Sequence, residues 1–479
     1  MAPTLKKNQL LAVATLFLAD LFYYRAIISL PRPASALLGL TTTQPMRKIP
    51  PKTMTTTTTI RTIDGGDNES DQGDTPPSPP PVQRVVIAGA GVIGVSTAYY
   101  LAKDFGVATT LIDPTGTIAP AASGKAGGFL ALDWNDHSPA LGPLTRRSFA
   151  LHQEIADSLG ADRIQYRRLE CVTIPVGDNN NRRRPSGRKL EGIEWAEGGN
   201  SMGDASLLGD QSTIAQVHPK KLCEAMWEHV QSLSPESTLV RGKVVSAVYE
   251  EEGNSAVGAQ LEDGTIVHGD ALLYACGPWT ANNMYGTKYH SLVVPTTKTL
   301  NQCVFFSGLG DPEVYVRSDS TAYCTGFPDP PIRVTESPGE EEVRQEVIDK
   351  IQTSVETASS FSDDDTANYM VFSEEDNDIG SENDDENENE RRTLKQACYL
   401  PSTVDGIPMM GKVPGNNDRP RTYVSAGHTC WGILMGPASG EAMAHEIVTG
   451  QSPHVNLSLF TPERFGGSLQ LVPPTKPKR

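Results

Sequence analysis

Cysteine is scarce and unpaired by spacing. Seven (Cys171, Cys223, Cys276, Cys303, Cys324, Cys398, Cys430) are scattered through 479 residues with no C-x-x-C pair. An odd, scattered set gives no disulfide framework and no metal-ligand cluster, so no metal site is expected. Small buried side chains in a reduced protein account for most of them. No basic patch marks a nucleic-acid partner. No long apolar run is present either. The longest candidate, Leu10 to Tyr24, is short and is interrupted by Asp20, which is poor material for a membrane span. Aromatics are only 6% of the chain.

The net charge of −17 is local. Residues 340–390 hold 19 acidic and 2 basic side chains, and the rest of the chain holds 39 of each. That acidic stretch has few large apolar residues in its second half and reads as a disordered insert, with a helix near Glu341 to Thr357. The N-terminal 82 residues read as a targeting segment and linker. Lys6 and Lys7 precede the apolar run, Ala34-Ser-Ala36 is a small-residue cleavage pattern, and a Thr-rich, acid-poor segment follows. The composition resembles the bipartite leader of a plastid or another organelle. A signal anchor in the membrane and a cytoplasmic product begun at Met46 or Met54 are the alternatives.

One stretch organises the remainder. Arg84 to Ala88 is a short apolar strand, and Gly89-Ala90-Gly91-Val92-Ile93-Gly94 follows in G-x-G-x-x-G spacing. Gly89 allows the turn, Gly91 lets backbone approach a pyrophosphate, and Gly94 lets the helix pack on the strand. The helix N-terminus offers N–H groups and a positive dipole end. A second strand ends at Asp113, about 20 residues on, where a carboxylate meets a ribose hydroxyl. Ala122-Ser-Gly-Lys-Ala-Gly-Gly128 is a second glycine-rich loop. Downstream, a helix starts near Pro219, strands run over 238–249 and 256–261, and another strand ends at Cys276-Gly-Pro-Trp279. Antiparallel strands fill 293–306 and 314–325. A strand at 421–425 leads to Gly427-His-Thr-Cys-Trp-Gly-Ile-Leu-Met-Gly-Pro437, with a helix expected from about Ala438 to Val448.

In this order the segments resemble the D-amino-acid oxidase family of FAD-dependent oxidoreductases, which includes glycine and sarcosine oxidases. The Cys276 to Trp279 and Ala426 to Leu434 segments are the specific ones, and they select FAD over NAD. The resemblance implies an α/β protein. A Rossmann-like FAD-binding domain (83–165, 210–290, 397–450) would carry a second, mainly antiparallel β-sheet substrate domain (166–209, 291–396), and 451–479 would be a tail. It also implies roles. Gly89, Ala90, Gly91, Val92, Ile93, Gly94 and Asp113 would hold the ADP half. Ser123, Lys125, Ala126, Gly127 and Gly128 would line the ribityl chain and flavin. Val245 would bond the adenine through its backbone, Gly277 would pass near the pyrophosphate, and Gly432, Ile433 and Leu434 would border the flavin pyrimidine. The reaction implied is dehydrogenation of a C–N bond in a small amine or amino acid, with hydride passing to flavin N5 and oxygen as acceptor. No residue is assigned as catalytic.

The chain departs from the pattern at one place. Amino-acid oxidases of this kind often hold the substrate carboxylate with an Arg-Pro arginine, and here the pair is Leu400-Pro401. Arg317 and Arg333 are in the substrate region. Cys398 occupies a position similar to the cysteine that bears covalent flavin in sarcosine oxidases, although a structural cysteine is the simpler reading. His428, Lys125 and Trp431 each have a structural as well as a cofactor-facing reading. A non-catalytic adaptor or trafficking protein on the flavin fold, and an NAD(P)-linked dehydrogenase, are the functional alternatives.

Overall fold

The computed structural model describes residues 81–176, 193, 195, 205–249, 256–359, 370, 392–414, 421–468 and 470–471. The leader, the basic loop at 179–189 and the acidic core of the insert lie outside these. No helix among the described residues is long and apolar enough to cross a membrane.

In chain order the principal elements are β1 (Arg84–Ala88), α1 (Val92–Phe105), β2 (Ala108–Asp113), α2 (Leu141–Leu159), β3 (Glu170–Pro175), β4 (Ser206–Gly209), α3 (Pro219–Leu233), β5 (Thr238–Arg241) and β6 (Ala271–Tyr274). They continue with β7 (Tyr285–Pro295), β8 (Gln302–Ser307), β9 (Glu313–Val316), β10 (Thr321–Gly326), α4 (Gln345–Ser359), β11 (Leu394–Ser402), β12 (Met409–Lys412), β13 (Thr422–Ala426) and α5 (Gly432–Thr449). Two sheets dominate. The first runs β12-β13-β6-β1-β2-β5. All its pairs are parallel except β12 with β13. The second runs β11-β7-β10-β9-β8-β3-β4 and is antiparallel except where β8 meets β3. The fold is therefore α/β, with a parallel sheet and a second, mainly antiparallel one.

The parallel sheet explains the apolar runs. Val85, Val86, Ile87 and Ala88 are all buried because the sheet is covered on both faces. Strand order reverses about β1, whose neighbours are β2 and β6. Ligands in open α/β sheets bind outside the carboxyl ends of the strands at such a point.

Helix α5 begins six residues earlier than the sequence suggests, at Gly432, and runs through Pro437. Proline lacks the N–H that would bond the Ile433 carbonyl four residues back. His152 Nε2 on α2 reaches that carbonyl at 3.0 Å. The next amide, Ala438 N, donates to Ser148 Oγ at 3.0 Å. Two side chains from α2 thus satisfy the groups that the proline would disrupt. On the other flank, Gly440 lets α5 press on α1, since a Cβ there would lie 2.5 Å from the Ser96 Cβ.

Two expected boundaries change. The insert was expected from residue 340 with a helix near Glu341 to Thr357; that helix is present as α4, but it is not part of a disordered segment, since Glu341 is buried and α4 sets Val347, Ile348, Ile351 and Val355 into the core behind the antiparallel sheet. Those four apolar positions recur at helical spacing, which average composition conceals. Likewise, the limits at 290/291 and 396/397 fall inside β7 and β11. These strands pair from Tyr285 with Ser402 to Val293 with Leu394. Part of the expected tail is also fixed, with Val455 and Phe460 buried.

Candidate active site

A cavity of about 290 Å³ opens at the carboxyl ends of β1, β2, β6 and β13. Its steric frame is the glycine turn. Gly89 has φ +107°, and a Cβ there would meet the Ala275 carbonyl oxygen at 2.4 Å. A Cβ on Gly94 would lie 2.1 Å from the Gly89 oxygen. These two glycines are required by the protein's own packing. Gly91 differs. Its φ is −74°, and its Cβ would meet only Ser123, with Oγ at 3.0 Å. It faces the cavity and leaves room for a ligand. Gly277 has φ +55° and open space where a Cβ would stand.

Of the residues expected at the cofactor, Gly89, Gly91, Val92, Ile93, Asp113, Ser123, Ala126, Gly277, Gly432 and Ile433 line this cavity. The others lie behind it. Ala90 is buried and donates its N–H to Asp113 Oδ2 at 3.3 Å. Gly94 sits under the turn. Lys125 Nζ is bound to Glu341 Oε2 at 2.7 Å and to the Ala397 carbonyl at 3.1 Å. Gly127 is covered by Tyr315, and a Cβ on Gly128 would strike the Val217 oxygen. Leu434 is in the core. Val245 is absent from the lining, where Gly242, Lys243 and Val244 stand instead.

Asp113 is buried. Its Oδ1 accepts from Thr115 N at 3.0 Å and Thr115 Oγ1 at 2.7 Å. Two carboxylate oxygens offer about four acceptor positions, and with Ala90 N on Oδ2 one remains there for a ribose hydroxyl. Ser123 Oγ accepts from Val92 N at 2.9 Å, tying the second glycine-rich loop to the start of α1.

At the far end stand His428 to Cys430, Gly432 and Ile433. His428 Nε2 pairs with Ser439 Oγ at 2.9 Å, and its Nδ1 is buried without a partner among the described residues. Desolvation lowers its pKa to about 3, so the ring is neutral at ordinary pH. Cys398 is buried and does not line the cavity, and burial pushes its thiol up to about 12. Asp405 holds Arg464 at 2.7 Å, a structural tie. Arg317 is buried, with Nη2 on the Ala126 carbonyl at 2.9 Å.

Sequence reasoning missed the segment Val334 to Pro338, which lines one wall. Glu336 anchors it. Its carboxylate accepts from the Tyr399 hydroxyl and from Lys288 Nζ at 3.2 Å, and its carbonyl accepts from Trp279 Nε1 at 2.7 Å. Desolvation opposes the Glu336 charge, but the Tyr399, Glu342 amide and Lys288 contacts outweigh it and hold the carboxyl below its usual range. No local motif announces this segment.

The family model described as FAD dependent oxidoreductase matches residues 84–446. An oxidoreductase of Schizosaccharomyces pombe is 30% identical over 421 residues, covering 81% of this chain and 99% of that one. The glycine oxidase of Pseudomonas aeruginosa is 24% identical over 397 residues, covering 79% and 98%. Among solved structures, glycine oxidase from Bacillus cereus aligns with a TM-score of 0.56 at 20% identity over 78% of this chain and 96% of that one. L-proline dehydrogenase from P. horikoshii aligns with a TM-score of 0.59 at 18% identity over 81% and 98%.

Proposed function

The chain belongs to the DAO family of FAD dependent oxidoreductases, and on that premise we propose that it dehydrogenates a C–N bond in a small amine or amino acid, with oxygen as the final acceptor. The NAD(P)-linked alternative falls with the family assignment. FAD, when bound, supplies the hydride acceptor.

The observation that carries the reading is the continuity of the cavity. It joins Asp113 and Val244, through Gly91 and Gly277, to Gly432 and Ile433. Each stretch has the chemistry that one part of FAD requires. Asp113 accepts hydroxyl donors. The start of α1 presents backbone N–H groups to phosphate. The start of α5 presents its positive dipole end beside Gly432, which favours negative charge at a bound ring. The unpartnered His428 Nδ1 gives the lining one further polar atom. Orientation by these fixed groups, together with a deprotonated amine, is what such a dehydrogenation needs from a protein.

The relatives named for glycine and proline act on amino acids, which supports a C–N substrate. Leu400, in place of the expected arginine, argues for an amine with less dependence on a carboxylate. The test is direct. Purified protein should be yellow, and an amine or amino acid should bleach its flavin absorbance anaerobically. A protein that stays colourless after addition of FAD overturns the proposal.

A further inference from the structure

The antiparallel sheet turns an aromatic face toward the glycine-rich loop. Tyr315 on β9 stacks on Phe129, with centroids 5.4 Å apart and planes at 14°. It also stacks on Tyr323 of β10 at 5.7 Å and 4°. Phe305 on β8 lies 5.6 Å from Tyr315. Trp134 lies 5.4 Å from Phe305 and 6.2 Å from Trp431, and Trp431 immediately precedes the cavity residue Gly432. The cluster thus abuts the end of the cavity formed by Cys430 and Gly432.

Within this face sits one acid. Glu313 is the register partner of Phe305 on one side and Thr325 on the other. Its carboxylate accepts from the Tyr315 hydroxyl. Among the described residues no cation is one of the groups that set its ionisation, and desolvation raises its pKa to about 7. Glu313, Tyr315, Phe129, Trp134 and Trp431 all keep partial solvent exposure. A carboxylate set among aromatic rings, with no cation beside it among the described residues, is costly. A cationic ligand removes that cost, because rings and carboxylate attract it together.

We propose that this aromatic face borders the substrate chamber and that Glu313 is the counter-ion for a second ammonium group, distinct from the deprotonated nitrogen that is oxidised, of a cationic amine lacking a carboxylate, a specificity that rests on the amine reading of the site. Two further observations agree. The position of the expected carboxylate-binding arginine is Leu400, which lines the cavity that the cluster abuts. Arg317, two residues beyond Tyr315, turns under the loop, with Nη2 on the Ala126 carbonyl and its guanidinium over the Tyr323 ring at 5.5 Å.

Two matched probes test the binding without requiring turnover. The full-length holoprotein is titrated with benzyltrimethylammonium and with benzoate, and the flavin spectral shift and calorimetric Kd are recorded. The cation should bind and benzoate should not. Glu313→Gln should weaken the cation by about 10- to 100-fold, the range of a charge-assisted contact, with FAD content unchanged. A second measurement needs no variant. The cation should bind more tightly as pH rises through about 7, when Glu313 ionises. The titratable groups facing it among the described residues are Asp311 and Tyr315 on its own segment, Tyr323 on β10, Cys171 on β3, and Cys430 beyond Tyr315. Preference for benzoate, binding of neither probe, or a cation affinity indifferent to both pH and Glu313→Gln overturns the proposal. Flavin bleaching by an amine under those outcomes would leave the amine reading standing, so the two failures are distinguishable.

Discussion

The glycine turn separates two kinds of demand, and a pair of substitutions distinguishes them. Gly89→Ala places a side chain where φ is +107° and the Ala275 oxygen is 2.4 Å away. The dihedral alone costs about 1–3 kcal/mol. The clash adds to this, because β1 and β6 would have to part at the register pair Ala88 with Tyr274. Gly91→Ala has neither problem. Its φ of −74° suits alanine, and its one close neighbour is the Ser123 hydroxyl. As an N-cap exchange it should cost the apoprotein about 1 kcal/mol. Its Cβ nevertheless projects into the space through which backbone N–H groups would meet a pyrophosphate. Losing one charge-assisted hydrogen bond there is worth about 1.5–3 kcal/mol, or roughly 10- to 150-fold in FAD affinity. Urea unfolding of the apoproteins and FAD titration of both variants provide the assay. Gly89→Ala should be markedly destabilised. Gly91→Ala should fold and bind FAD weakly. A Gly91→Ala protein that binds FAD as tightly as the parent would refute the placement of the pyrophosphate at this turn.

Two other substitutions address burial. Lys125→Met strands Glu341, whose side chain is 0% exposed, and should cost about 3–5 kcal/mol. Lys125→Met with Glu341→Gln should recover much of that loss in urea unfolding, and an additive double variant would refute the coupling. Desolvation lowers the pKa values of His152 and His428 to about 4 and about 3, against about 6.5 in an unfolded chain. The unfolded state therefore binds more protons, and stability should fall as pH drops from about 6.5 toward 4. The slope is up to about 1.4 kcal/mol per pH unit for each ring. His218 and His290, also lowered to about 4, contribute in the same window, so His152→Gln with His428→Asn should reduce the pH dependence of the urea midpoint between pH 4 and 6.5 by roughly half, and an unchanged slope would refute the assignment.

The sequence revealed most where the controlling contacts are local. Strand, turn and helix from Arg84 to Phe105 are dictated by neighbours within a few residues, and so is the Pro219 start of α3. It misled where the decisive partner is far away. Pro437 reads as a helix break until Ser148 and His152, from a distant helix, take up the groups it disturbs. Glu341 reads as one more acid in a solvated run until Lys125 is found beside it. Val245 and Val244 are adjacent β-branched residues whose pattern cannot say which one borders the cavity.

The same distinction explains why the cofactor end of the site is more legible than the substrate end. A pyrophosphate imposes steric rules on backbone, and only glycine meets them, so the rule is written in residue type at fixed spacing. A substrate chamber imposes no such rule. Here it is assembled from four strands, a turn and a short helix, and each ring would serve equally well as core. Glu313 stands in a Glu-Val-Tyr-Val strand whose alternation shows that two side chains share a face, but not what that face meets. Its meaning comes from Phe305 and Tyr315 around it, from the absence of a cation among the described groups that set its ionisation, and from Leu400 in the adjoining cavity. Exchanging Leu400 for arginine while leaving Glu313 in place would set a positive charge against a chamber built for one. By this reasoning it should weaken benzyltrimethylammonium binding without restoring benzoate, whereas a site that merely lacked its arginine would gain benzoate affinity.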